Sequence, residues 1–143
     1  MIRAYCAGDA KRVLVQEAQA AEAAEFAWCF DEMAGYSLVD DKTGEVLGVF
    51  SYQAEVNGGE KKALCYALFS KNSGRKMLEA VRFLQKEIGV KMKELGVDCV
   101  MMTVKKGFEP GVRLALALGF KAKGVCPAFY KGIDYQIFER SRI

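Results

Sequence analysis

Nine consecutive residues, Leu68-Phe69-Ser70-Lys71-Asn72-Ser73-Gly74-Arg75-Lys76, carry the clearest chemical signal in this sequence. An apolar strand end runs into small, turn-tolerant residues and then into a long helix. A helix start offers unpaired backbone N–H groups and the positive end of the helix dipole. Lys71, Arg75 and Lys76 add positive charge, so a pyrophosphate fits there. The same residues also read as a capped helix start with its cations in solvent.

Proton-moving groups are sparse. Histidine is absent, which removes Ser-His and Cys-His nucleophile pairs and every His-containing metal site. Glu55 and Glu60 flank a turn at Asn57-Gly58-Gly59. They could take a proton through a water, or stand as exposed hairpin charges. Tyr66 lies mid-strand and Tyr130 lies between two strands near the end of the chain. The five cysteines, Cys6, Cys29, Cys65, Cys99 and Cys126, are scattered and form no CxxC pair. That spacing argues against a zinc site or disulfide framework and predicts buried, inert thiols in a reducing compartment. No metal site is expected.

These groups must be positioned by one domain, residues 1–143, since the 143 residues are hardly enough for two. With 52% hydrophobic and 27% charged residues the chain can bury a core. Twenty-one Lys and Arg against eighteen Asp and Glu leave a net charge of +3, short of the bias of a dedicated nucleic-acid binder. Lys61, Lys62, Lys71, Arg75, Lys105 and Lys106 are interleaved with acids and read as solvated surface. Met1-Ile2-Arg3-Ala4-Tyr5 does not open a signal peptide, and no apolar run approaches the roughly 20 residues of a membrane span. A cytoplasmic protein with no membrane or nucleic-acid partner is expected.

Ile2 to Tyr5 reads as a strand, followed by a turn with Asp9 as helix N-cap and an Ala/Glu-rich helix from Ala10 to about Phe26. Phe26, Trp28, Phe30 and Tyr36 form an aromatic cluster, either core or a substrate wall, and Gly35 closes that segment. Tyr36–Asp40, Glu45–Val56 and Lys61–Phe69 form a meander with turns at Asp41-Lys42-Thr43-Gly44 and Asn57-Gly58-Gly59. The last of these strands lacks clean alternation and should be covered on both faces. Met77, Val81, Leu84, Ile88, Met92 and Leu95 make one helical stripe, widened by Leu78, with Gly96 as C-cap. Val97–Val104 is a strand, and a strand, helix, strand succession predicts a parallel pair. A short helix from Glu109-Pro110-Gly111 to Gly119 precedes two last strands, Phe120–Val125 and Ile133–Glu139, joined through Pro127 and Lys131-Gly132.

This order resembles the GNAT superfamily, the acyl-CoA N-acyltransferases. Three stretches carry the resemblance: Met1-Ile2-Arg3 with Asp9, Ser73-Gly74-Arg75-Lys76-Met77-Leu78-Glu79-Ala80, and Ala115-Leu116-Ala117-Leu118-Gly119-Phe120. It implies an α/β (α+β) fold, a mixed sheet of about six to seven strands with helices on both faces. It implies acetyl-CoA, or another acyl-CoA, held at Leu68 to Lys76, and acyl transfer to an amine on a small molecule or protein. Of the family's Arg/Gln-Gly-x-Gly-x-Gly/Ala loop positions only Gly74 matches, with Phe69, Ser70 and Asn72 at the others. Where many members carry a general-acid Tyr this chain has Ala115, and near their Asn it has Phe108 and Gly107. Tyr66 and Cys65 then stand beside the expected thioester, and Tyr66, Glu60 and Tyr130 are the remaining catalytic candidates. The alternative is a catalytically silent GNAT-like binding or structural protein. The chain is also distantly similar to short GNAT-like proteins of tailed bacteriophages, on its size, Lys-rich helix and ending Tyr135-Gln136-Ile137-Phe138. A strand edge in this fold could pair two copies into a homodimer.

Overall fold

The computed structural model describes residues 1–57 and 59–141. Its elements are β1 (Ile2–Ala4), α1 (Asp9–Arg12), α2 (Ala20–Phe26), β2 (Ala34–Val39), β3 (Val46–Asn57), β4 (Glu60–Phe69), α3 (Lys76–Leu95), β5 (Cys99–Lys105), α4 (Glu109–Ala117), β6 (Lys121–Tyr130) and β7 (Ile133–Ser141). Seven strands join in the order β1-β2-β3-β4-β5-β7-β6. The β4–β5 pair is parallel, in register from Lys62↔Cys99 to Leu64↔Met101, as the helical crossover requires. β1–β2, β2–β3, β5–β7 and β6–β7 are antiparallel. This is the mixed sheet expected above.

The chain divides into two compact units: Met1–Gln53 with Cys65–Phe83, and Ala54–Leu64 with Leu84–Ile143. The first unit closes around Ala10, Val13, Ala27, Phe30, Val46, Val49 and Leu68. In the second, Ala63, Val100, Met102, Val104, Leu114, Ala115, Leu118 and Phe138 are buried.

Several local expectations are corrected. The Ala10–Phe26 helix is broken: α1 stops at Arg12, and Val15 bridges to Ser70 before the chain turns through Glu17–Gln19 into α2. Val13, Leu14 and Val15, two of them β-branched, favour the extended path at that break. Asp9 is not an N-cap. It opens α1 behind Gly8, and its carboxylate is fully buried, accepting bonds from Arg3, the Cys6 amide and the Ser37 hydroxyl. Gly35 does not end a segment but lies inside β2, where a Cβ would come within 2.0 Å of the Phe50 carbonyl. Leu78 does not widen the helical stripe, being 59% exposed, while Ala80 takes the buried place. β4 is covered on both faces only at Leu68 and Phe69. Pro127 lies within β6, not between strands. It sits where the β6–β7 register shifts, on the outer strand of the sheet, so its missing N–H is tolerated. The Asn57-Gly58-Gly59 turn falls partly outside the described residues, at Gly58.

α3 ends as its sequence dictates. Gly96, at φ 65°, donates to the Lys93 carbonyl, and Val97 donates to Met92 at 3.0 Å. This bond pair closes the last turn where only glycine readily turns left-handed.

Candidate functional site

The connection from β4 to α3 lies wholly in the first unit. Leu68 and Phe69 are core residues there, 4% and 5% exposed, so their side chains face away from any solute. Ser70 is fully buried and organises the turn. Its amide donates to the Leu47 carbonyl at 2.7 Å, its hydroxyl accepts the Asn72 amide at 2.9 Å, and its carbonyl accepts the Ser73 amide at 3.2 Å. Lys71 donates its amide to Leu14, and the Lys76 amide goes to the Ser73 carbonyl.

The expectation of a row of unpaired amides is therefore corrected. The amides of Ser70 and Lys71 go to the Leu47 and Leu14 carbonyls, and buried Ser70 takes those of Asn72 and Ser73. Within residues 70–76, the amides of Gly74 and Arg75 alone have no acceptor among the described residues. Gly74 is left-handed at φ +46°, and a Cβ placed on it would meet nothing within 4 Å. The side chains of Lys71, Arg75 and Lys76 are exposed, as is Asn72, whose amide donates to Glu45 at 3.3 Å. Two free amides at the start of a twenty-residue helix, with three cations around them, are a donor set suited to a pyrophosphate.

One residue that sequence reasoning missed is Gln19. It is 8% exposed. Its Nε2 donates to the Ala67 carbonyl at 3.1 Å, and its Oε1 accepts the Phe69 amide at 3.4 Å. A side-chain amide thus pairs with β4 beyond the end of the parallel ladder, much as a neighbouring strand's peptide would. A lone glutamine beside an alanine-rich helix carries no signal of that role, which depends on a contact 48 residues distant.

The catalytic candidates are dispersed. Tyr66 lies on β4 in the first unit, 39% exposed. Glu60 begins β4 in the other unit, and its largely exposed carboxylate pairs with Lys62 at 3.2 Å. Tyr130 ends β6, with the Lys131 ammonium 5.5 Å from its ring centre. Cys65 is a poor nucleophile, because burial pushes its thiol up to about 12. The expectation of five buried cysteines is corrected, since Cys6 is exposed and the other four are half-buried. Four of them stand on the segments Ala27–Glu32, β4, β5 and β6, and of these Cys65 has the thiol that burial affects most. Ala115 is fully buried and Phe108 is 7% exposed, so neither place holds an ionisable group.

The aromatic cluster divides. Phe30 is core and Tyr36 packs edge-on against Phe83, with ring centres 5.0 Å apart. Phe26 and Trp28 are 43% and 53% exposed. Among the described residues no group of His, Cys, Asp and Glu could hold a metal ion, and no helix is long and apolar enough to cross a membrane.

No protein-family model matches this sequence, and no curated protein matches it. Solved structures do match. An acetyltransferase of the GNAT family from Streptococcus pneumoniae aligns at 16% identity and a TM-score of 0.68, over 99% of this chain and 98% of that one. The ribosomal-protein-S5-alanine acetyltransferase from Vibrio fischeri aligns at 13% identity and 0.70, over 98% and 91%. The NatC complex bound to Gag peptide and CoA aligns at 17% identity and 0.63, over 76% and 71%. At such identities the likeness is one of fold, and by it this chain has the fold of the GNAT acetyltransferases.

Proposed function

We propose that this chain is an acyl-CoA-dependent N-acyltransferase, with the cofactor held at the β4–α3 connection. The observation that supports it best is that connection, set within a fold likeness spanning 99% of the chain. The Gly74 and Arg75 amides, with Lys71, Arg75 and Lys76, would hold the pyrophosphate. An acyl-CoA supplies a thioester whose acyl group is already activated. The protein's task is then chiefly to orient an amine against it. Tyr66, on the same unit and exposed, would line the acyl end of the site. Glu60 and Tyr130 take no assigned step.

Isothermal titration with acetyl-CoA and with CoA, on the native chain and on Gly74→Asp, tests the reading. Aspartate tolerates a left-handed backbone, so the variant should fold and repel the anion. Micromolar binding, weakened at least tenfold in the variant, is expected. No binding by the native chain at millimolar ligand would overturn it. A second reading, a GNAT-like fold that binds without transfer, is favoured by Ala115 and Phe108, both buried and non-ionisable. Cofactor binding with no thiol release across a panel of amines would establish that reading instead.

A further inference from the structure

A second site lies wholly in the other unit. A cavity of about 490 Å³ is lined there by the later half of α3, the turn after α4, the start of β6 and the end of β7. That volume is in the ordinary range for a small-molecule site, about 300–1,000 Å³. Lys93, Lys121, Lys123 and Arg140 contribute cations to its wall, and Glu139 the one carboxylate. The described lining thus carries three net positive charges, as many as the whole chain. Without these five residues the sequence holds as many Asp and Glu as Lys and Arg, so the described lining carries an excess equal to the chain's own.

Arg140 is held for this role. Its Nη1 donates to the Gln85 carbonyl at 3.0 Å and to the Leu118 carbonyl at 3.2 Å. Both acceptors are neutral, so the guanidinium keeps its full charge. Lys121 stands directly opposite Glu139 in the β6–β7 register, on the same face of the sheet. Lys123 falls at the irregularity between Ala122 and Gly124.

Gly89, inside α3, faces the same guanidinium. Glycine inside a helix is destabilising relative to alanine, and here a Cβ would meet one atom only, Arg140 Nη2, at 3.7 Å. Among the described residues no packing or backbone clash demands glycine at that place. What its absent side chain leaves uncovered is the guanidinium.

We propose that this cavity binds a small, multiply charged phosphate compound, with Arg140 at its base and Lys93, Lys121 and Lys123 around it. This site is separate from the β4–α3 connection and does not rest on the acyltransferase reading. Inorganic pyrophosphate is the probe, titrated into the ¹⁵N-labelled protein at low ionic strength. The expected result is amide shifts at Gly89, Gly119 and Lys121–Lys123, with binding that weakens as salt rises. Lys93→Ala/Lys123→Ala should weaken it at least tenfold, and Gly74→Asp should leave it unchanged. Gly89→Ala should raise the melting temperature while weakening binding, a combination that a misfolded variant cannot produce. Shifts confined to residues 71–76, or binding indifferent to the lysine pair, would overturn the proposal. So would tighter binding of a single-stranded oligonucleotide than of pyrophosphate with the same amide shifts, which would assign the cavity to a polymer.

Discussion

Arg3 in one unit and Arg140 in the other each tie separate segments together through one guanidinium, and their partners differ. Arg3 meets the carboxylate of Asp9 with both terminal nitrogens, at 2.6 and 3.1 Å. Asp9 is fully buried and also receives the Cys6 amide and the Ser37 hydroxyl. The pair neutralises itself and pins β1 to α1 and β2. Arg140 meets two carbonyls, that of Gln85 in α3 and that of Leu118 just after α4. It fixes those segments without losing its charge. One arginine is spent on structure, and the other remains available to an anion. Local sequence does not distinguish them, because the partners of each lie on other segments of the chain.

The largest loss is expected at Arg3. Arg3→Met leaves a buried carboxylate with only two hydrogen bonds, and losing one partner of a buried pair costs about 3 kcal/mol. Urea denaturation at pH 7 measures it, and a loss under about 1 kcal/mol would show that the pair is not the pin described here.

Acid gives the next largest effect. Burial raises the Asp9 carboxyl, but Arg3, Ser37 and the Cys6 amide outweigh it and hold the group at about 2, below its ordinary 3.8. A carboxyl lowered in the folded state stabilises the protein above its unfolded value. That stability is lost as pH falls from about 4 through about 2, and it amounts to about 2 kcal/mol. The urea midpoint followed from pH 6 to pH 2 should decline over that window, and Asp9→Asn should flatten the decline.

The smallest effect is expected at Arg140 itself. Arg140→Met removes donors from the exposed Gln85 bond, where water can take over, and from the part-buried Leu118 bond, and it strands no buried charge, so the cost is about 1 kcal/mol. Hydrogen exchange should quicken in the last turn of α4, where Leu118 follows the helix. Protection elsewhere in the second unit should be kept. A loss as large as that of Arg3→Met would erase the contrast between the two arginines.

Much of the architecture was legible in residue order. The α3 stripe, its Gly96 stop and the apolar β5 after it require a crossover, and the parallel β4–β5 register follows from that. The hairpin at Asp41 to Gly44 was legible because its turn chemistry is local. The amino-terminal third was not. Ala and Glu favour helix everywhere between Ala10 and Phe26, yet Val15 pairs with Ser70, and that distant partner outweighs propensity.

The candidate site divides along the same line. By itself the sequence determined the run of small and cationic residues between a strand and a long helix, and the lack of any histidine, because both are properties of composition and order. Tertiary structure decided which backbone donors remain there, since Ser70 is buried and consumes its neighbours' amides. It also decided that Gln19 pairs with β4, and that Lys93, Lys121, Lys123 and Arg140 share one concavity. Charges 47 residues apart have no local signature. Only packing brings α3 and the β6–β7 hairpin to the same cavity, and a field is set by where charges stand in space, not by their order along the chain.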